Sequence, residues 1–306
     1  MSCRRPRQNV CRAWILLVLA AFAIASGRSA RGYDGFIVAW GDNAYGQTNV
    51  PAPNSVFVAV AAGHRYSLGL KADGSIVAWG QNSYGQLNAP LPNSGFIAVT
   101  AGDWHNLGLK IDGSIVAWGW NAWGQNNVPA PNSDFVAVAA GYAHSLGLKA
   151  NGSIVAWGNN SWGQTNIPLP NTGFIAIDAY ALHSLGLKPD GSIVAWGCGD
   201  PYNFGACDVP SPNTGFVAVA AGYAHSLGLE ADGSIVAWGC APGYDFGQCS
   251  VPAPNTGFKA IAAGDYHSLG LKADGSIVGW GYNNYGQTNV PAPNNGFVGL
   301  AAIRFT

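Results

Sequence analysis

Charged residues are scarce in this chain of 306 residues: Asp, Glu, Lys and Arg together make up 9% of it, and the formal net charge is −1. A protein that binds nucleic acid by neutralising phosphates needs many Lys and Arg side chains, so that class is excluded. Intrinsic disorder is excluded too, because 48% of the residues are apolar and disordered chains combine low hydrophobicity with high net charge. We therefore expect a folded protein with no nucleic-acid partner.

Good helix formers are few beside the 43 glycines and 18 prolines. Glycine and proline weaken or break helix interiors, so a helical bundle or a coiled coil is excluded. The chain also contains 12 tryptophans, 12 tyrosines and 12 phenylalanines. This combination is typical of a rigid, turn-rich β protein.

Long hydrophobic runs are missing except for one, Ala13 to Ala25, of 13 residues. A membrane-spanning helix needs about 20 apolar residues. The run follows four arginines and ends in the small-x-small pattern Ala23-Ile24-Ala25, which is typical of a cleavage site. We predict a signal peptide at residues 1–25, a short linker at 26–32 and the folded domain at 33–306, with an uncleaved anchor as the alternative. The mature protein is then secreted, extracellular or periplasmic, with no membrane span.

The segment Gly-Ser-Ile-Val-Ala-Trp-Gly recurs along the chain at intervals of 39 or 42 residues. Each unit has three apolar stretches of strand length, and an Asp-Gly or Asn-Gly hairpin signal precedes the third. A fourth edge segment in the Gln-Thr-Asn-Val-Pro stretch is left open. Periods of this size indicate an array or a propeller. The repeated tryptophans, predicted to lie in the core, are Trp40, Trp79, Trp118, Trp157, Trp196, Trp238 and Trp280.

Both faces of these strands are apolar, so each small sheet must be covered on both sides. An open stack needs end units with a polar outer face, but the first and last copies are as apolar as the others. We therefore predict an all-β, seven-bladed β-propeller of about 39-residue repeats, its last blade closed by both termini. Only six second strands can be found, so the closing blade either lacks one or fills it poorly with residues 29–33.

Two motifs, Ala-Ala-Gly-x-x-His-Ser-Leu-Gly-Leu and Val-x-Ala-Trp-Gly-x-Asn-x-x-Gly-Gln, together resemble the regulator-of-chromosome-condensation repeat. The short repeat and the export signal make the chain most similar to the bacterial secreted branch of that family, which includes a propeller-type β-lactamase inhibitor protein. The resemblance implies a propeller over residues 33–306. The eukaryotic namesake is a nuclear nucleotide-exchange factor, and we do not carry that activity over, because this chain has an export signal and no basic tail.

The repeats differ mainly in two places, the turn after Ala-Ala-Gly and the loop after Trp-Gly. In a propeller both lie on one side, which we call the upper face; the Asp-Gly turns lie on the lower face. Large aromatic and arginine side chains on a rigid surface dominate protein–protein hot spots. The predicted partner-binding residues are Arg65, Trp104, Trp120, Tyr142, Tyr223, Tyr266 and Tyr282.

A second, regularly spaced aromatic set is equally consistent with binding and with filling space between loops: Tyr45, Tyr84, Trp123, Trp162, Phe204, Phe246 and Tyr285. The first hypothesis is a monomeric, non-catalytic platform that binds a protein partner, such as an extracellular enzyme or a surface protein. The alternative is a carbohydrate-binding, lectin-like propeller, because aromatic rings also stack on sugars. No cofactor is expected.

Two Cys-x8-Cys pairs, Cys198 with Cys207 and Cys240 with Cys249, lie in corresponding loops of two neighbouring units. Zinc sites use Cys-x2–4-Cys pairs, so we predict a local disulfide in each loop, which suits an oxidising compartment.

Five histidines recur in register: His105, His144, His183, His225 and His267. One histidine per blade beside a tight turn favours a structural hydrogen bond to a neighbouring loop over a metal or catalytic site. His64 is out of register and is expected at the surface. We predict no catalytic residue and no metal ligand, because the sequence shows no nucleophile elbow, no phosphate-binding glycine motif and no clustered carboxylates.

Overall fold

The computed structural model describes residues 23–26, 35–199 and 204–302. Most of the predicted signal peptide, the predicted linker beyond Ser26 and residues 29–33 lie outside these ranges. Every regular element within them is a β-strand, which confirms the all-β class. No segment among the described residues forms a helix that could span a bilayer.

The described strands form one two-stranded pair and six three-stranded antiparallel sheets. The pair consists of β1 (Ala23–Ser26) and β2 (Gly35–Val38). The sheets, in chain order, are β3 (Phe57–Ala62), β4 (Tyr66–Lys71) and β5 (Ile76–Gly80); β6 (Phe96–Ala101), β7 (His105–Lys110) and β8 (Ile115–Gly119); β9 (Phe135–Ala140), β10 (His144–Lys149) and β11 (Ile154–Gly158); β12 (Ala176–Tyr180), β13 (His183–Leu187) and β14 (Ile193–Gly197); β15 (Phe216–Ala221), β16 (His225–Glu230) and β17 (Ile235–Gly239); and β18 (Phe258–Ala263), β19 (His267–Lys272) and β20 (Ile277–Gly281).

The Asp-Gly signal forms the predicted hairpin between the second and third strands of a sheet. Between β4 and β5, the carboxylate of Asp73 accepts hydrogen bonds from the backbone N–H of Ser75 at 2.9 Å and from its hydroxyl at 2.6 Å. Gly74 follows with a φ of +78°, and a Cβ there would lie 2.9 Å from the backbone nitrogen of Gly95. The turn therefore needs both an acceptor side chain and a glycine.

In each unit an asparagine side chain, rather than a fourth strand, makes hydrogen bonds to the backbone of the isoleucine in the third strand. Asn93 accepts a hydrogen bond from the N–H of Ile76 and donates one to its carbonyl, both at 2.8 Å. The same pair recurs in every copy: Asn54 with Ile37, Asn132 with Ile115, Asn171 with Ile154, Asn213 with Ile193, Asn255 with Ile235, and Asn294 with Ile277. The Gln-x-Asn-x-Pro stretch left open as a fourth segment forms no strand in the described copies.

The apolar core lies between neighbouring sheets. One cluster joins Leu68 and Leu70 of β4 to Phe96 of β6 and Trp118 of β8. Six of the repeated tryptophans are only 5–6% exposed, as the prediction of a core role requires. Each sheet thus buries both faces against its neighbours, which explains why its strands do not alternate apolar with charged residues.

Hydrogen bonds cross the same boundaries. The carbonyl of Gln125, in the loop after β8, accepts bonds from Ser145 Oγ at 2.9 Å and from Trp157 Nε1 at 2.8 Å, both in the next sheet. Ser145 in turn lies 2.9 Å from Nε2 of His105. Because the single hydroxyl proton of Ser145 goes to Gln125, His105 must donate its Nε2–H to the serine oxygen. The predicted structural hydrogen bond is confirmed for His105, His144, His183 and His225, although the partner lies on a strand of the next sheet and not in a loop.

Residues near both chain ends pack between the last sheet and the first. Ile37 of β2 and Ala301 share one cluster with Phe57 and Trp79 of the first sheet. On the other side, Val38, Trp40 and Leu300 belong to a cluster with residues of the last sheet. Trp40 Nε1 also donates a 3.0 Å hydrogen bond to the carbonyl of Gln287.

β1 takes the place beside β2 that a second strand takes in the other sheets, with Ala25 opposite Phe36. Three of its four residues belong to the predicted signal peptide.

Candidate functional site

In each three-stranded sheet, one backbone hydrogen bond joins the two variable segments. The N–H of Trp120, in the loop after β8, donates to the carbonyl of Trp104, in the turn after β6, at 2.9 Å. Between them Gly119 has a φ of +98°, and a Cβ there would lie 2.6 Å from that carbonyl. The glycine of Trp-Gly therefore allows the close approach that brings the predicted binding residues of one sheet side by side.

The glutamine of the Gly-Gln motif turns the regular aromatic set towards solvent. Gln86 accepts a hydrogen bond from the backbone N–H of Tyr84 at 2.8 Å, and Gln125 accepts one from that of Trp123 at 2.9 Å. The glutamines are buried, and five aromatic side chains of this set are 44–55% exposed: Tyr45, Tyr84, Trp123, Phe246 and Tyr285. Phe204 differs, because it is only 8% exposed and its unit has Ala206 in place of the glutamine. Most of this set therefore reaches the surface.

Three predicted binding residues meet in what we call the first aromatic cluster: His64, Tyr84, Trp104, Trp120 and Tyr142. Ring centroids are separated by 4.4 Å from His64 to Trp104, 5.2 Å from Tyr84 to Trp104, 6.0 Å from Tyr84 to Trp120 and 5.9 Å from Trp120 to Tyr142. The expectation that His64 lies at the surface is wrong: it is 3% exposed, because its ring packs edge-on against Trp104.

The other three predicted aromatics meet in the second aromatic cluster, which consists of Phe204, Tyr223, Tyr244, Phe246, Tyr266, Tyr282 and Tyr285. Tyr266 is its centre, with ring centroids 5.5 Å from Tyr223, 4.9 Å from Phe246 and 6.4 Å from Tyr282. Phe204 stacks 5.8 Å from Tyr223, and Tyr285 lies 6.2 Å from Tyr282.

Two disulfides brace the loops that supply this cluster. Cys198 bonds to Cys207 and Cys240 to Cys249, with Cα atoms 6.2 and 6.3 Å apart. Both predicted pairings are confirmed. Each bond encloses a loop that carries cluster residues, so it limits how far those aromatic side chains can move.

Arg65 joins the second cluster across the two ends of the chain. Its backbone has a φ of +63°, and its guanidinium lies 4.6 Å over the ring of Tyr45 and donates a 2.9 Å hydrogen bond to the Tyr45 hydroxyl. Both residues line a cavity of about 730 Å³ together with Tyr266 and Tyr282. The structure thus places the seven predicted residues in two groups on the upper face.

Burial keeps two tyrosines and two histidines uncharged near neutral pH. Burial raises the pKa of Tyr142, and the nearby Asp103 adds to the effect; burial also raises the pKa of Tyr266. Burial lowers the pKa of His183 to about 4 and that of His225 to about 3. Among the described residues no group of three or more His, Cys, Asp or Glu side chains could hold a metal ion.

Sequence reasoning left Tyr84, Phe246 and Tyr285 undecided and missed Tyr244. Because the first three recur at a regular distance from the Gly-Gln motif, a structural role between loops explained them as well as a binding role did. Tyr244 lies in the loop lengthened by three residues, and that insertion was its only signal.

The pattern of the family described as "Regulator of chromosome condensation (RCC1) repeat" matches residues 57–86, 96–127, 135–164, 216–248 and 258–287. These segments make up half of the chain. They coincide with five of the six three-stranded sheets; the divergent unit around β12 is not among them.

The fold is similar to several solved structures. Prp20p from Saccharomyces cerevisiae has a TM-score of 0.70 and 18% identity, covering 96% of this chain and 88% of its own. Yeast RCC1 (Prp20) in a structure with Kap60 has a TM-score of 0.71 and 18% identity over 100% and 91% of the two chains. The CRINKLY WD40 ectodomain of the Arabidopsis thaliana receptor kinase ACR4 has a TM-score of 0.64 and 24% identity over 80% and 88%. Among curated proteins none matches the chain.

Proposed function

The chain belongs to the regulator of chromosome condensation (RCC1) repeat family, and on that basis we propose that it is a non-catalytic platform that recognises a protein partner through its upper face. The observation that carries the proposal is the gathering of six predicted aromatic residues into two clusters on this one face.

The proposal includes a closed ring of seven blades. Supporting it, β2 and the segment 297–302 fill the space between the last sheet and the first, in contact with both. A cavity of about 20 Å³ is lined by residues from the first strands of five sheets and by Ala301 and Ala302, as expected if the first strands surround one axis. Closure fixes the loops of all blades in one plane and so creates a continuous docking surface.

Rigidity favours recognition by these clusters. Each aromatic contributes a large contact area, and its position is held by neighbouring rings, by the Gly-Gln loops and, for the second cluster, by disulfides. A partner that docks there gives up little conformational entropy on the side of this protein. Aromatic anchors of this kind carry most of the binding energy in protein interfaces.

Related propellers have protein partners. Prp20p is described by its binding properties to Gsp1p and histones, and yeast RCC1 (Prp20) has been solved with Kap60 bound. We take from this only that the fold serves protein recognition, because identities of 18% do not transfer individual partners.

We propose further that the protein is exported and belongs to the bacterial secreted branch of the family. The two disulfides agree with an oxidising compartment, and the signal peptide predicted at residues 1–25 would direct the chain there. The mature protein is proposed to be a monomer.

The test compares partner capture from the native secretome by two variants. Substituting Trp104 and Trp120 with alanine should weaken binding by about 2 kcal/mol or more per residue if they are hot spots, so the captured protein is lost. Leu91 and Leu169, in the Pro-Leu-Pro segments that return to the lower face, are 91% and 90% exposed; their alanine variants serve as the matched control and should retain the partner. Equal capture by both variants would contradict the proposal.

A lectin-like function is the alternative, because Tyr84, Trp123 and Tyr285 are 49–55% exposed and aromatic surface of this kind can stack on sugar rings. A glycan array that gives strong signals with the wild type, and none with the Trp123→Ala variant, would replace protein recognition by this function.

A further inference from the structure

The cavity of about 730 Å³ on the upper face lies where the two ends of the chain meet. Five aromatic side chains line it, namely Tyr45, Phe246, Tyr266, Tyr282 and Tyr285. Its volume falls in the range of sites that bind a small-molecule ligand, so it has room for a long side chain. The wall therefore offers mainly the faces and edges of aromatic rings.

The carboxylates of the cavity are held in place by the protein itself. Asp42 accepts hydrogen bonds from the N–H of Ala44 at 3.1 Å and from the side-chain amide of Gln47 at 2.9 Å. Asp265 is 1% exposed and accepts a hydrogen bond from the Tyr180 hydroxyl. Hydrogen bonds from the protein therefore fix both carboxyl groups at the wall of the cavity.

The other polar side chains are also bonded to neighbours. Asn284 donates to the Tyr282 hydroxyl at 2.9 Å, and Arg65 donates to that of Tyr45 at the same distance. A sugar is recognised through many directed hydrogen bonds as well as stacking, and here Asn284 and Arg65 already donate to neighbouring hydroxyls. The lining thus favours a ligand attracted by charge and by aromatic faces.

Two carboxyl groups, those of Asp42 and Asp265, line the cavity. Arg65 is the basic side chain among the residues of the lining, and it lies against Tyr45 at one side. His267 also lines the cavity and is neutral, because burial lowers its pKa to about 4. A cation placed among electron-rich rings beside carboxylates gains both a cation–π and a Coulomb attraction.

We propose that this cavity binds a cationic side chain, arginine or lysine, presented on a loop of the protein partner. The charged head lies among Tyr266, Tyr282 and Phe246 and is attracted by Asp42. This inference rests on the proposed function, because the side chain belongs to a protein docked on the upper face.

The probe for the test is the blocked peptide Gly-Ser-Gly-Arg-Gly-Ser-Gly, and its control carries citrulline in place of arginine. Citrulline has nearly the same shape without the charge. Binding is followed by intrinsic fluorescence and by calorimetry at low salt, with chitotriose as a sugar competitor. We expect the arginine peptide to bind at least about tenfold more tightly than the citrulline peptide.

The variants separate charge from structure. Asn159 occupies the position of Asp42 in another unit and makes the same loop bonds, from the N–H of Ser161 at 2.8 Å and the amide of Gln164 at 2.9 Å. Asp42→Asn therefore keeps the loop and removes the charge, and it should weaken the arginine peptide by about fivefold. Asn159→Asp adds the same charge outside the cavity and should leave binding unchanged, whereas Tyr266→Leu should abolish it.

Equal affinity for the arginine and citrulline peptides, displacement by chitotriose, or no binding of the arginine peptide at about 10 mM would each overturn the inference. These outcomes are distinct from failure of the proposed function, which is read from partner capture by the Trp104 and Trp120 variants. A partner that is captured through those tryptophans while the arginine peptide does not bind leaves the docking face intact and removes only the cationic site.

Discussion

At one boundary between neighbouring sheets, a tyrosine–asparagine pair replaces the histidine–serine pair found at four other boundaries. Substituting this pair tests whether its hydrogen bond holds the two sheets together. Tyr66 stands where other units have histidine, and Asn106 stands where they have serine. The Tyr66 hydroxyl lies 2.7 Å from Oδ1 of Asn106, and Asn106 Nδ2 donates to the Gln86 carbonyl at 2.8 Å. The pair thus makes the two bonds that histidine and serine make elsewhere.

We expect Tyr66→His alone to lower the free energy of unfolding by about 2–3 kcal/mol, because it leaves the buried amide of Asn106 poorly paired and a void where the phenol was. Asn106→Ser alone should cost a similar amount. The double variant recreates the His–Ser pair present at four other boundaries, and should cost less than about 1 kcal/mol. The coupling energy is then at least about 3 kcal/mol.

The measurement is guanidinium chloride unfolding followed by tryptophan fluorescence. The matched control combines Tyr66→His with Ser184→Asn, because Ser184 is the partner of His144 and not of Tyr66. In this control the losses of unfolding free energy of the two single variants should add. If the costs of Tyr66→His and Asn106→Ser also add, the coupled-pair explanation is refuted.

Three further predictions concern stability. In five units a lysine lies 3.7–5.1 Å over a phenylalanine ring, but in the sixth the corresponding residue is Glu230, the last residue of β16, which pairs with Phe216. Glu230→Lys should therefore stabilise the protein by about 0.5–1 kcal/mol in thermal unfolding, and an unchanged or lower Tm would contradict this. His183, His225 and His267 have pKa values of about 4, 3 and 4 in the folded protein, below the value of about 6.5 in the unfolded chain. Between the folded and unfolded pKa values the unfolded chain therefore binds more protons than the folded protein. The free energy of unfolding should be constant above pH 6.5 and should fall by about 2 kcal/mol per histidine by pH 5. Unfolding free energies that do not change from pH 7 to pH 5 would show that these imidazoles are not buried as described. Replacing Cys198 and Cys207 with serine should cost about 2.5 kcal/mol, because the disulfide restricts the unfolded chain, and a loss of less than about 0.5 kcal/mol would exclude a clamping role.

The strands were predictable because turn-forming residues mark the strand ends within each repeat. In one unit the first apolar stretch of the sequence, residues 57–62, coincides with β3, and the third, residues 75–79, differs from β5 by one residue. Turn glycines and asparagines bound these segments, and their chemistry acts within a few residues of the chain. The disulfides were predictable for the same reason, because each joins two cysteines only nine positions apart in one loop.

The grouping of the site residues was not predictable. Arg65 is close in sequence to Trp104, yet it lines a cavity with Tyr266 and Tyr282, because contacts on the upper face depend on how sheets from the two ends of the chain pack. Likewise β1 pairs with β2 although its sequence does not match the second-strand motif; the pairing uses backbone groups, which leave no sequence pattern.

The cavity and the continuous upper face exist only if the two ends of the chain meet. Ala44 and Asn284 both line that cavity from opposite ends of the sequence. Spin labels placed at these two positions should give a single distance below about 25 Å in a pulsed electron resonance measurement. An open stack, with sheets about 10 Å apart, would instead separate the labels by about 60 Å, and that result would contradict the closed propeller and the docking face built on it.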